Sequence, residues 1–129
     1  MILVDTSVWV DHLRSGEDAL SRLLDHGRVL SHPFIIGELA LGQMRQRELI
    51  LTALAALPRA IVATDAEVFG FIARCELFGR GIGYVDVHLL AAASLSSAAS
   101  LWTRDKRLHR VAVELGVTRT PPFTEEMPS

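Results

Sequence analysis

Short apolar runs alternate along this chain with longer segments whose apolar residues recur at helical spacing. Ile2-Leu-Val4 contains no polar residue and predicts a short buried strand. Asp5-Thr-Ser7 then offers capping chemistry for a helix through Val8-Trp-Val-Asp-His-Leu13, which Ser15-Gly16 breaks. A second helix is predicted from Glu17 to about His26, stopped by Gly27. Pro33 fits the first turn of a third, running to about Gly42. Arg45 to Leu57 is helical by composition and ends at Pro58. Ala60-Ile-Val-Ala63 predicts a strand, and Thr64-Asp65 caps a helix from Ala66 to Phe78. Gly79, Gly81 and Gly83 form a loop before a helix from Asp86 to about Ser97. Ser100-Leu-Trp-Thr103 reads as another strand, and Asp105 opens a helix to about Leu115. Gly116-Val-Thr118 reads as a last edge strand, and the aperiodic tail 121–129 is expected to be mobile.

Strands alternating with helices predict an α/β fold, a three-layer domain with a mainly parallel central sheet. Residues 1–129 are expected to form one domain, with its core over about 1–118. In such sheets ligands bind beyond the carboxyl ends of the strands, where Asp5 and Asp105 fall.

Three apolar runs end on an aspartate: Met1-Ile-Leu-Val-Asp5, Gly83-Tyr-Val-Asp86 and Leu101-Trp-Thr-Arg-Asp105. A fourth acid, Glu38, lies inside the apolar helical pattern Phe34-Ile-Ile-Gly-Glu-Leu-Ala-Leu-Gly42. An isolated charge in apolar surroundings needs a partner, a proton or a metal. Each aspartate taken alone could simply be a helix N-cap. Glu38 in mid-helix cannot, although an ion pair with Arg45 would explain it. Four carboxylates meeting at strand ends would give an all-oxygen site suited to a hard ion such as Mg²⁺ or Mn²⁺ rather than zinc or copper. Such ions neutralise the site, activate a water and stabilise charge building on a phosphoryl group. The hydroxyls of Ser7 and Thr103, two positions from Asp5 and Asp105, could hold a carboxylate or a water in place.

Composition narrows the classes further. The formal charge of −2 excludes a strongly basic nucleic-acid-binding protein but not a nuclease with an acidic site and a basic rim. Twelve of the thirteen basic residues are Arg, and four of the thirteen (Arg104, Lys106, Arg107 and Arg110) cluster around the last acid as candidate phosphate contacts. A solvated basic helix face is the alternative. Cys75 is alone, which excludes an intrachain disulfide and argues against a cysteine-based zinc site. No apolar run approaches the roughly 18–20 residues needed to cross a bilayer, so no membrane association and a cytoplasmic protein are expected. Gly79-Arg-Gly-Ile-Gly83 follows a helix and lacks dinucleotide-loop spacing; no Walker loop is present. Asp5-Thr-Ser7 lacks the second Asp of a haloacid-dehalogenase motif. His88, two residues after Asp86, points to a different helix face and is a weak candidate general base. Trp9 and Trp102 read as core or subunit-contact residues.

Four segments together resemble the four motifs of PIN-domain ribonucleases, and more narrowly the VapC toxins of bacterial toxin–antitoxin pairs. They are Ile2-Leu-Val-Asp-Thr-Ser-Val-Trp9, Glu38 in Ile-Gly-Glu-Leu, Ile82-Gly-Tyr-Val-Asp-Val-His-Leu-Leu-Ala91 and Leu101-Trp-Thr-Arg-Asp-Lys-Arg-Leu108. The resemblance implies an α/β/α domain and a Mg²⁺- or Mn²⁺-dependent endoribonuclease acting on transfer or ribosomal RNA. It further implies a homodimer and a cognate antitoxin whose C-terminal segment occupies the active-site groove. By position, Asp5, Glu38, Asp86 and Asp105 would be the catalytic, metal-binding acids, with Ser7 and Thr103 in support. Attack of a metal-activated water would leave a 5′-phosphate and a 3′-hydroxyl. The readings left open are a non-catalytic RNA- or protein-binding module of the same fold, and a metal-dependent DNA nuclease or phosphatase.

Overall fold

The computed structural model describes residues 1–118, so the expectation of a mobile tail lies outside the described residues. Three strands form an all-parallel sheet in the order β2-β1-β3: β1 (Ile2–Val4), β2 (Val29–Leu30) and β3 (Ser100–Trp102). Ile2 lies beside Val29 on one side and Ser100 on the other, which makes β1 the centre of the sheet. Seven helices surround it: α1 (Thr6–Ser15), α2 (Asp18–Asp25), α3 (Pro33–Leu41), α4 (Arg47–Ala55), α5 (Asp65–Arg74), α6 (Tyr84–Leu95) and α7 (Lys106–Glu114). The arrangement is the three-layer α/β/α one expected.

Leu3, Val4 and Leu101 are fully buried, so these strands lack the alternation of a half-exposed sheet. Leu89, Leu90 and Ala92 of α6, Val8 of α1 and Leu108 of α7 complete the aliphatic core. Trp9 and Trp102 are buried within it.

Several predicted elements are corrected. Val29-Leu30, to which the sequence assigned no element, is a strand. Its two residues leave no pattern to detect, and only pairing with Ile2 and Leu3 makes it one. Conversely, the predicted strand Ala60–Ala63 reduces to a single bridge between Ser31 and Arg59. Ala60 N–H still reaches Ser31 O, but the next donor, Ile61 N–H, turns to Ser96 Oγ at 2.9 Å and leaves the ladder. The edge strand at 116–118 is likewise one bridge, Leu101 to Thr118. α4 begins at Arg47 because Gln46 is left-handed, with φ of 54°. α5 ends at Arg74, and Glu76 just beyond it has φ of 52°.

α6 begins two residues earlier than expected. Gly83 is its N-cap, and Asp86 lies inside its first turn, accepting from Gly83 N–H at 2.9 Å. Capping by Asp86 from outside the helix, one of the structural alternatives for that residue, is therefore replaced by a bond back to the cap from within.

Candidate active site

The parallel sheet delivers two acids to one end of the molecule. Asp5 follows β1 directly, and its N–H continues the ladder to Trp102 O at 2.9 Å. Thr103, Arg104 and Asp105 follow β3 on the neighbouring track, and the first turn of α6 brings Asp86 to the same end. Asp86 feels both other charges. Burial first, then the charges of Asp5 and Asp105, hold its carboxyl above the ordinary carboxylate range, against the opposing pull of Gly83 N–H. Glu38 arrives from α3, tied to the residue after Asp5: Thr6 Oγ1 donates to Glu38 Oε1 at 2.8 Å.

One rule covers all four acids. Each spends one oxygen on the protein and keeps the other without a hydrogen bond from the described residues. Asp5 Oδ2 accepts from Ser7 Oγ at 2.8 Å and Thr103 Oγ1 at 2.7 Å. Asp86 Oδ2 accepts from Gly83 N–H. Asp105 Oδ1 accepts from the N–H groups of Arg107 and Leu108 at 2.9 and 3.0 Å, the true N-cap of α7. Glu38 Oε1 accepts from Thr6. The capping and ligand readings of Asp105 are thus compatible, because they use different oxygens. Backbone N–H groups tighten the surround: Arg104 N–H donates to Ser7 Oγ at 3.0 Å and Asp105 N–H to Thr103 Oγ1 at 3.1 Å.

The apolar-surroundings argument holds for only part of the set. Asp5 is buried and Asp86 half-buried, whereas Glu38 and Asp105 are exposed. Ile35, one turn before Glu38, is buried but Leu41, one turn after it, is 90% exposed, so α3 turns from core to surface at Glu38. What unites the acids is the lack of a counter-charge. Among the described residues none of the four enters an ion pair, and Glu38 does not meet Arg45.

Nor do three His, Cys, Asp or Glu side chains close around a common point as a preformed cage among the described residues. Oxygen donors, unneutralised charge and an open arrangement fit Mg²⁺ or Mn²⁺ better than a tightly enclosed ion. Mg²⁺ keeps several waters and is commonly bound through one or two carboxylates plus substrate phosphates.

The basic residues near Asp105 separate into two groups. The Arg104 guanidinium is taken by Asp11 and Glu17 and lies 5.9 Å from the Trp102 ring centroid. Lys106, Arg107 and Arg110 are exposed on α7. His88 is buried, its ring making edge contacts with Phe34 and Tyr84, both at 4.7 Å between centroids, with Nε2 3.5 Å from Asp65 Oδ1. Thr6 escaped the sequence reading. Its pairing with Glu38 spans 32 positions, and its only local signal was a hydroxyl in a first helical turn.

With these acids placed, the sequence can be set beside known proteins. The PIN domain family matches residues 2–114, and the chain belongs to that family. Within it, Ribonuclease VapC32 of Mycobacterium tuberculosis is similar to this chain. The forms from strains CDC 1551 / Oshkosh and ATCC 25618 / H37Rv are each 48% identical over 117 residues, covering 91% of this chain and 94% of the relative.

Proposed function

We propose that this chain is a divalent-metal-dependent endoribonuclease of the VapC kind, hydrolysing RNA phosphodiesters to a 5′-phosphate and a 3′-hydroxyl. Four unneutralised acids, each with one oxygen oriented and one free, carry this reading. Likeness to a relative named as a ribonuclease supports the choice of RNA.

Asp5, Asp86 and Asp105, with Glu38 at the rim, would hold Mg²⁺ or Mn²⁺ through their free oxygens. Such an ion, when bound, supplies charge neutralisation at the phosphate and an acidified water. Ser7 and Thr103 fix the rotamer of Asp5, and Thr6 does the same for Glu38. Each hydroxyl thereby leaves the other oxygen without a hydrogen bond from the described residues. Burial raises the proton affinity of Asp86, and a bound cation would draw that carboxyl back to its anion. Lys106, Arg107 and Arg110 would contact phosphates flanking the cut, each adding to the salt sensitivity of binding. Arg104 joins them only by exchanging Asp11 and Glu17 for a phosphate.

The substrate class proposed is transfer or ribosomal RNA in the cytoplasm. The partners proposed are a second copy of the chain and a cognate antitoxin that covers the acid groove. No helix among the described residues is long and apolar enough to cross a membrane.

Cleavage of a total cellular RNA pool, with Mn²⁺ or Mg²⁺ and with EDTA, tests this when mapped by end sequencing beside Asp86→Asn. Discrete metal-dependent cuts absent from the variant are expected. No cuts from folded, antitoxin-free protein would overturn the proposal.

A further inference from the structure

Two large aromatic side chains lie exposed and close together where α5 meets the start of α6. Phe69 of α5 is 60% exposed and Tyr84, the first residue of α6, 43% exposed. Their ring centroids are 6.0 Å apart with planes at 41°. Tyr84 is held from two sides. Its hydroxyl donates to Asp65 Oδ1 at 2.7 Å, and its ring rests against buried His88, which rests in turn against Phe34. A tyrosine left over at the surface would have its hydroxyl in water and its ring free to turn. This one has its polar end engaged and its orientation set before any ligand arrives, which lowers the ordering cost of binding.

Position gives the ring pair its meaning. Tyr84 and Asp86 share the first turn of α6, but side chains two positions apart point to different flanks of a helix. Tyr84 therefore opens away from the acids, towards α5. The Arg107 side chain lies against the turn that leads into α6. A Cβ added at Gly81 would stand 2.9 Å from Arg107 Nη1. The glycine leaves the room that the guanidinium occupies. The helix start that carries Asp86 thus has an exposed aromatic pair and a guanidinium close by.

Aromatic faces for bases and cations for phosphates, alternating along a path, are how single-stranded nucleic acid is held. RNA cleaved at a selected site offers unstacked bases in loops and ends. We infer that Tyr84 and Phe69 form a stacking platform for an unpaired base flanking the phosphodiester held at the acids, with Arg107 taking a neighbouring phosphate. This rests on the endoribonuclease reading and adds to it the residues that hold a base beside the cut. The base on the platform belongs to a nucleotide beside the scissile one, because the ring does not face the acids.

The test is a binding titration of a short oligoadenylate RNA carrying one 2-aminopurine, stepped along the strand. Fluorescence is read in the Asp86→Asn background, where the probe is expected to stay intact. One register should show saturable quenching, the signature of a stacked base. Adding Tyr84→Leu should abolish that quench and weaken binding about ten-fold. Tyr84→Phe, which keeps the ring, should retain the quench. Phe69→Leu leaves the Asp65 bond untouched and should give a partial loss, so misfolding of one variant does not decide the matter. A full quench with Tyr84→Leu, or no quench in any register, would overturn the platform. Light scattering serves as the second arm: a fall in molecular mass with either leucine variant, without loss of quench, would assign the surface to a protein partner and also overturn it. Because binding is read without turnover, a protein that cuts RNA but shows no quench fails this inference alone, and one that quenches but never cuts fails only the activity.

Discussion

Two adjacent corners of this molecule treat negative charge in opposite ways. At one, Asp11 of α1 and Glu17 just before α2 close on the guanidinium of Arg104. At the other, which begins at the very next residue, Asp105 joins Asp5, Asp86 and Glu38 with no arginine in attendance among the described residues. Cations are at hand, since Arg107 lies on the same helix and spends its guanidinium over Gly81 instead. The bare acids therefore do not follow from a shortage of positive charge. The clamp fastens the β3–α7 loop to α1, whereas the rim keeps its charge unpaired among the described residues.

The largest effect should come from breaking the rim. We expect Asp86→Asn to lower RNA cleavage roughly a hundred- to a thousand-fold, the scale of losing several kcal/mol of electrostatic stabilisation. Cleavage kinetics in Mn²⁺ check this. The same substitution should not destabilise the metal-free protein. Asparagine still accepts from Gly83 N–H, and a carboxylate whose ionised form the fold disfavours has been removed.

A second effect belongs to neither corner and separates pH from charge repulsion. His32, fully buried at the N-cap of α3, has its pKa lowered from 6.5 to about 4 by burial, then by the charges of His88 and Arg59. Between those values the unfolded chain takes up a proton that the folded one refuses. Stability should therefore fall as pH drops from about 6.5 towards 4, by up to about 3 kcal/mol. Urea midpoints across that range should show the slope. It should flatten in His32→Asn, whose side chain can still cap Phe34 N–H.

Cutting the clamp should cost least. Arg104→Met leaves Asp11 and Glu17 without their cation, but all three side chains are partly exposed, so a loss of about 1 kcal/mol is expected. Thermal melts at low and high salt check it, since salt should shrink the difference between variant and wild type.

The sequence made the order of strands and helices legible wherever pattern and punctuation agreed. Ile2–Val4 and Ser100–Trp102 were continuous apolar runs, and Pro33 and Gly42 framed α3. Val29-Leu30 was not legible because a two-residue strand exists only through its neighbour. Ala60–Ala63 misled because β-branched residues suggest a strand but cannot show that Ser96 will take the next donor. Ile61 and Val62 are consequently 53% and 43% exposed. At the site, the three aspartates could be read from their place at strand or loop ends. Ser7 could be read from its two-residue spacing and binds Asp5, whereas Thr103, two positions from Asp105, binds Asp5 across the sheet instead. Thr6 on Glu38 and the clamp on Arg104 are long-range pairings that no local spacing encodes. The apolar environment credited to Glu38 was an inference from helix composition that Leu41, on the surface, does not support.

The central claim is that the rim, and not the clamp, is kept for a divalent cation. Its most direct test is the melting temperature of wild type, Asp86→Asn and Asp11→Asn with and without Mn²⁺. At a hundred times its dissociation constant, an ion that binds only the folded state stabilises it by about 2.7 kcal/mol. Wild type and Asp11→Asn should therefore melt several degrees higher with Mn²⁺, and Asp86→Asn should lose most of that gain. An equal rise in all three, or no rise in wild type, would contradict the claim.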